Sequence, residues 1–107
     1  MELSKKKCVA CEGGMPAMGE KEANGLLKQI PSWSLKNNKL CRHFEFKNFV
    51  DAMKFLNKMA EIAEGEGHHP DFSVHYRKVD VEIWTHAVNG LSENDFILAA
   101  KIDRIKV

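Results

Sequence analysis

The sequence lacks the features that mark membrane, secreted and nucleic-acid-binding proteins. No apolar run approaches the roughly 18 residues that a membrane-spanning helix needs. The opening MELSKKK carries charge without the apolar segment of a secretory signal. The net charge of +1 comes with no basic stripe that would bind a phosphate backbone. We therefore expect a cytoplasmic protein with neither a membrane nor a nucleic acid among its partners.

Cysteine is scarce as well. There are three, Cys8, Cys11 and Cys41, and an odd number without an export signal does not indicate a disulfide framework. Cys8 and Cys11 form a CxxC, which is half of a zinc site, but no second CxxC or nearby His-x-x-x-His completes it. We interpret them as reduced thiols on a mobile arm rather than as a metal or redox site.

The length sets the number of domains. A chain of 107 residues is long enough for one modest core and too short for two. Residues 1–18 show no sustained periodicity, so we predict a flexible N-terminal tail there. Residues 19–107 are predicted to form a single folded domain.

Apolar spacing within that domain predicts alternating helices and hairpins. A helical pattern begins at Glu20 and stops at Pro31, and an alternating pattern over residues 33–46 turns at Asn37-Asn38. The next helix is the most strongly marked. It begins after Asn48 as N-cap, ends at Gly65 and Gly67, and has a predicted buried stripe of Phe49, Met53, Leu56, Ala60 and Ala63.

The second hairpin is predicted from a change of parity. Phe72, Val74 and Tyr76 alternate on even numbers, and Val79, Val81 and Ile83 alternate on odd numbers. A turn at Arg77-Lys78 would pair Tyr76 with Val79 and place all six on one buried face. The same register, carried outward, places His69 opposite His86.

A last helix is predicted after Ser92, where Ser-Glu-Asn-Asp is close to a capping box with Asp95. The resulting order, α-β-β-α-β-β-α, indicates an α+β fold with an antiparallel four-stranded sheet and three helices packed on one face. The other face of the sheet is then free of helices.

Three imidazoles, those of His68, His69 and His86, would meet at the open end of the second hairpin. Histidine titrates near neutral pH, so several around one pocket suit proton transfer to and from a substrate. Glu64, one turn earlier, could orient one of them, and Asp95 could reach the same mouth, although capping alone explains Asp95. Zinc or iron is the rival interpretation, and neighbouring side chains that diverge from a strand favour it less.

The spacing of these residues resembles the signature of the pterin-4a-carbinolamine dehydratases. The signature residues are Glu64, His68-His69-Pro70, Tyr76, His86 and Asp95. The stretch THAVNGLSENDFILAAKID, from Thr85 to Asp103, and the N-terminal CVAC are similar to the bacterial branch of the family. The resemblance covers about the whole chain.

The resemblance implies a hydro-lyase, 4a-hydroxytetrahydrobiopterin dehydratase. Such an enzyme removes water from the carbinolamine that aromatic amino acid hydroxylases release, and the product is the quinonoid dihydropterin of tetrahydropterin recycling. Phenylalanine hydroxylase would be a functional partner. The pterin is the substrate, and no metal or other cofactor is implied. A homo-oligomer, either dimer or tetramer, is expected from the family.

The resemblance also assigns roles. His68 and His86 would be the acid–base pair, and His69 would mainly hold the substrate, with proton transfer as a second role. Glu64 would orient a histidine, and Asp95 would hydrogen-bond within the site. Backbone around Gly67, Trp84 and Thr85 would hold the amide edge of the pterin.

Two departures from several relatives concern the surroundings of the histidines: Gly67 stands where they have an acidic residue, and Ala87-Val88 where they have Glu-Cys. The alternative function is a non-catalytic dimerisation or assembly partner of another protein, which would use the uncovered sheet face, an open hairpin edge and the final helix.

Overall fold

The structure, a computed structural model, describes residues 2–9 and 17–107. Cys11 therefore lies outside the described residues. Within them the helices and strands are α1 (Glu20–Leu27), β1 (Ser34–Lys36), β2 (Lys39–Glu45), α2 (Phe49–Glu66), β3 (Asp71–His75), β4 (Lys78–Ile83) and α3 (Glu93–Ile102). Short 3-10 helices occur at Leu3–Lys5 and His86–Val88. None of the helices in these ranges is long and apolar enough to cross a membrane.

The strands form one antiparallel sheet in the order β1-β2-β4-β3. The three α-helices of the described ranges pack with one face of it, so the predicted α+β class is confirmed. Asn37 and Asn38 have φ values of 49° and 59°, the left-handed conformation that a two-residue hairpin turn requires. The first hairpin therefore turns where the sequence predicted.

The second hairpin turns one residue earlier than predicted. Its turn is Tyr76-Arg77, and Val74 pairs with Val79. The predicted pairing of Tyr76 with Val79 is wrong, because Tyr76 itself takes the positive φ of 59°. The slip along the partner strand is two residues, an even number, so the side chains that share a face are unchanged.

The buried face of this hairpin is narrower than predicted. Val79, Val81 and Ile83 of β4 are at most 1% exposed, because β4 lies between two strands. Phe72 and Tyr76 remain 53% and 67% exposed, since β3 is an edge strand and Tyr76 lies in the turn.

The caps of α2 agree with the prediction, and its buried stripe agrees only at Leu56 and Ala63. Asn48 accepts a hydrogen bond from the N–H of Asp51 at 2.8 Å, and Gly67 ends the helix with a φ of 64°. Phe49, Met53 and Ala60 of the predicted stripe are exposed. The buried residues of α2 are Ala52, Phe55, Leu56, Met59 and Ala63.

The sheet face away from the helices is polar. His43 of β2 lies between two carboxylates, with Nδ1 2.6 Å from Oδ1 of Asp80 and Nε2 3.1 Å from Oε2 of Glu45. These hydrogen bonds, that of Asp80 first, raise the pKa of the exposed His43 above its usual value.

The described part of the predicted tail is packed onto the domain. Leu3 is 2% exposed and belongs to the core, and Lys6 Nζ lies 3.0 Å from Oε2 of Glu93 at the start of α3. The flexibility of the tail stays a prediction, while these contacts seat residues 2–9 on the domain. One apolar side chain and a few backbone hydrogen bonds hold them, and such a short contact leaves no periodic pattern in the sequence.

Candidate active site

A cavity of about 380 Å³ lies where the end of α2, the start of β3 and the segment after β4 meet. Its volume is in the range of small-ligand sites. Its lining consists of Val9, Gly67, His68, His69, Asp71, Trp84, Thr85, His86, Ala87 and Asn94. The structure therefore brings the three predicted histidines to one cavity. A larger depression on the open sheet face is lined by a single histidine, His43, so histidines do not converge there.

His68 is fixed by a buried carboxylate. Gly67, in the left-handed conformation, turns the chain out of α2, and the His68 N–H then donates to the Ala63 carbonyl at 3.2 Å. Nε2 of His68 lies 2.6 Å from Oδ1 of Asp95. The two side chains are 12% and 0% exposed, so water competes little for this contact.

Asp95 makes contacts that fit both of the roles that the sequence left open. It closes the capping box of α3 by accepting from the Ser92 N–H at 2.8 Å. It also accepts from Thr85 Oγ1 at 2.9 and 3.0 Å and faces His68. Thr85 is held in place by an isolated bridge to Gly90. A carboxylate surrounded by donors in this way can orient an imidazole.

His69 has its own carboxylate. Its Nε2 lies 2.5 Å from Oε2 of Glu64 in the last turn of α2. Unlike the His68 pair, both side chains are exposed, at 61% and 78%. Glu64 therefore contacts a histidine, as predicted, at the rim of the cavity.

His86 reaches the cavity by a different route from the predicted one. Strand β4 ends at Ile83, and His86 begins the following 3-10 helix, so the strand register does not place it opposite His69. Its ring stacks on the indole of Trp84, with centroids 3.8 Å apart and planes at 33°. Trp84 Nε1 donates to Oδ2 of Asp71 at 3.2 Å, which fixes the indole.

Sequence reasoning missed four residues of the lining: Val9, Asp71, Ala87 as a wall, and Asn94. Asp71 directly follows His-His-Pro, and that acidic neighbour was an available signal. Val9 and Asn94 gave none, because their contact joins residues far apart in the chain.

Cys8, beside Val9, is partly buried. Burial, with the nearby Glu66 carboxylate second, raises the pKa of its thiol to about 12, so it stays protonated near neutral pH.

The family model described as Pterin 4 alpha carbinolamine dehydratase matches residues 16–105. The chain belongs to this family of hydro-lyases. It is 47% identical over 107 residues to the Halorhodospira halophila protein named "Putative pterin-4-alpha-carbinolamine dehydratase", with 98% of each chain covered. A Rickettsia canadensis protein of the same name is 50% identical over 103 residues, with 94% of each chain covered.

A solved structure agrees with this assignment. The crystal structure of the transcriptional coactivator/pterin dehydratase from Brucella melitensis superimposes with a TM-score of 0.78 at 34% identity, covering 81% of this chain and 95% of that chain.

The contacts of His68 and His69 indicate which ring nitrogen of each carries the proton. A nitrogen that faces an ionised carboxylate carries the proton, so the neutral forms of His68 and His69 have N–H at Nε2. Nδ1 of each ring is then the nitrogen able to accept a proton.

The rival interpretation, a zinc or iron site, requires several ligand side chains to come together at one point. Within residues 2–9 and 17–107, no three His, Cys, Asp or Glu side chains converge as a metal ligand set would. That no cofactor is needed stays a prediction.

Proposed function

We propose that this protein is a 4a-hydroxytetrahydrobiopterin dehydratase that acts in tetrahydropterin recycling for aromatic amino acid hydroxylation. The observation that supports it best is the convergence of His68, His69 and His86 on one cavity, with His68 held by the buried Asp95. Family membership supplies the reaction class.

The proposed reaction breaks one bond and moves two protons. The C4a–O bond breaks as the N5 lone pair forms the C4a=N5 double bond. The departing hydroxyl takes up a proton and leaves as water, and N5 loses its own proton. A positioned acid–base step typically contributes about 10²–10⁴-fold to the rate.

His68 is the proposed base. With Nε2–H directed to Asp95, its Nδ1 can accept the N5 proton, and the carboxylate stabilises the imidazolium that forms. His86 is the proposed acid. Its ring lies on the Trp84 indole, which holds the imidazole at the cavity.

The remaining lining residues hold the substrate in this proposal. His69, oriented by Glu64, contacts the pterin at the rim. Backbone around Gly67, Trp84 and Thr85 pairs with the amide edge of the ring. Ala87 lines the cavity and Val88 is 8% exposed, so the Glu-Cys pair of several relatives is replaced by side chains that add no charge.

The test is a coupled hydroxylase assay. During phenylalanine hydroxylation the 4a-carbinolamine accumulates as a transient absorbance. Adding the wild-type protein should abolish that transient. With the His68→Ala variant in its place, most of the transient should remain. An unchanged transient with folded wild-type protein rejects the proposed activity.

We also propose that the protein works in the cytoplasm as a homo-oligomer without any added cofactor. Phe49 and Val50 at the start of α2 are 48% and 58% exposed, and two adjacent exposed apolar side chains are a candidate contact surface. Light scattering should give the mass of a dimer or tetramer. A monomer at micromolar concentration rejects the oligomer.

A protein-binding role is the second candidate. The description of the Brucella melitensis neighbour joins a transcriptional coactivator to a pterin dehydratase. In this chain the polar sheet face and the edge strand β3 are open to a partner. The final helix α3, which the sequence analysis also expected as a binding surface, is buried along most of its length. A protein that binds its partner equally well after His86→Ala, and that lacks dehydratase activity as wild type, would support this second role.

A further inference from the structure

The N-terminal residues 3–9, called the strap below, lie across the two helix ends that carry the His68–Asp95 pair. Leu3 anchors the strap in the core, and Lys101 Nζ donates to the Ser4 carbonyl at 3.0 Å. Further along, the Cys8 N–H donates to Oε1 of Glu66 at 2.8 Å. Glu66 is the last residue of α2, two residues before His68.

Asn94 holds the end of the strap at two points. The Val9 N–H donates to Oδ1 of Asn94 at 2.9 Å, and Asn94 Nδ2 donates to the Val9 carbonyl at 2.5 Å. Asn94 is 5% exposed and stands directly before Asp95. One amide side chain therefore satisfies both backbone groups of Val9, as a neighbouring strand would.

The side chain of Val9 is left in an unusual position. It lines the histidine cavity and is 72% exposed, although the backbone on which it is mounted is fixed. An apolar side chain that is held in place at the mouth of a polar cavity is suited to contact a bound ring, because a ligand there would remove it from water.

We propose that the strap is a wall of the pterin site, with Val9 contacting the substrate and Asn94 as the residue that positions Val9. This inference rests on the proposed function for the identity of the ligand. The strap lies outside residues 16–105, the part of the chain that the family model matches. It is therefore separate from the histidine signature of the family.

The test compares Val9→Asp, Val9→Ile and Asn94→Ala with a matched control, Val107→Asp, which changes another exposed valine far along the chain. Three quantities are measured on the full chain: hydrogen exchange over residues 3–9, Kd for 7,8-dihydropterin by tryptophan quenching, and KM and kcat for the carbinolamine. Val9→Asp should raise KM and Kd about three- to tenfold, which is the loss expected from one valine contact. The effect on kcat should be smaller, because Val9 transfers no proton.

Asn94→Ala should speed exchange of the Cys8 and Val9 amides and raise KM to a similar degree, while Val9→Ile should match wild type. If Val9→Asp and Val107→Asp leave KM equally unchanged in an active protein, the wall is rejected and the dehydratase function stands. If wild type neither binds dihydropterin nor dehydrates the carbinolamine, the proposed function fails and the pterin wall fails with it, whereas the exchange data still report on the Asn94 contact. Should Asn94→Ala not fold, the Val9 variants decide, because the Val9 side chain is exposed.

Discussion

Nε2 of His68 lies 2.6 Å from Oδ1 of Asp95, a carboxylate with no exposed surface that also caps α3. One carboxylate thus links the start of the last helix to the histidine that follows α2. A substitution there should affect both stability and turnover, and the two effects are separable.

We expect Asp95→Asn to lower kcat by about 10²-fold, since the amide no longer fixes the His68 proton at Nε2. His68→Ala should lower it at least as much, and the double variant should be no worse than His68→Ala alone. Stopped-flow dehydration of the carbinolamine measures all three. Losses that simply add in the double variant would show that Asp95 does not act through His68. Weakening of the cap should also lower the unfolding free energy by about 1 kcal/mol.

The stack of Trp84 on His86 gives a second prediction. His86→Ala should cut turnover at least about tenfold and leave the fold intact, as expected for loss of one acid–base group. Trp84→Phe keeps an aromatic face and should retain most activity, whereas Trp84→Leu should fall several-fold lower. Steady-state kinetics with circular dichroism as the folding control measure this. Equal activity of the Phe and Leu variants would remove the stack from the mechanism.

Glu64 should matter far less than Asp95. Its pair with His69 is exposed on both sides, and exposed ion pairs contribute about 0–1 kcal/mol. Glu64→Gln should therefore reduce kcat/KM by less than about fivefold. The same assay in high salt should shrink the difference from wild type, because salt screens exposed charges. A loss as large as that of Asp95→Asn would mean that Glu64 takes part in proton transfer.

The open sheet face gives a prediction for pH. The pKa of His43 is raised in the folded protein by its hydrogen bonds to Asp80 and Glu45, so the folded state binds the proton more tightly than the unfolded chain. The resulting stabilisation is fully present below the unfolded pKa of about 6.5 and is lost as the pH rises through the higher folded pKa.

Thermal unfolding of wild type and His43→Gln should therefore differ more at about pH 5.5 than at about pH 9. Asp80→Asn should reduce the same difference, because it removes the principal partner of the imidazole. A gap in Tm between wild type and His43→Gln that is constant with pH would contradict the assignment.

Most of the fold was predictable because its signals are local. Asn37-Asn38, the Asn48 cap and the Ser92 capping box each depend on residues close together in the sequence, and each is found as predicted. The second hairpin was harder. Its turn uses Tyr76 at positive φ, where an aromatic residue is rarely found, so alternation alone placed the turn one residue late.

The prediction of which residues of α2 are buried was incomplete for a related reason. The helix carries apolar residues on two faces, and the spacing of Phe49 and Met53 fits a buried stripe as well as the spacing of Phe55 and Met59 does. Only the position of the sheet and α3 decides between them. In the site, the spacing of residues in the sequence predicted that the three histidines come together. The contacts of Asn94 and Val9 depend on tertiary packing and were not predicted.

The contact between Val9 and Asn94 joins residues separated by 85 positions. On a ribosome, the strap emerges before Asn94 and would have to wait for it before it could dock. Asp95 follows Asn94 in that late segment, so a nascent chain that has not yet released α3 has neither the carboxylate behind His68 nor the side chain that seats Val9. Catalytic competence should therefore appear only when synthesis of the domain is essentially finished.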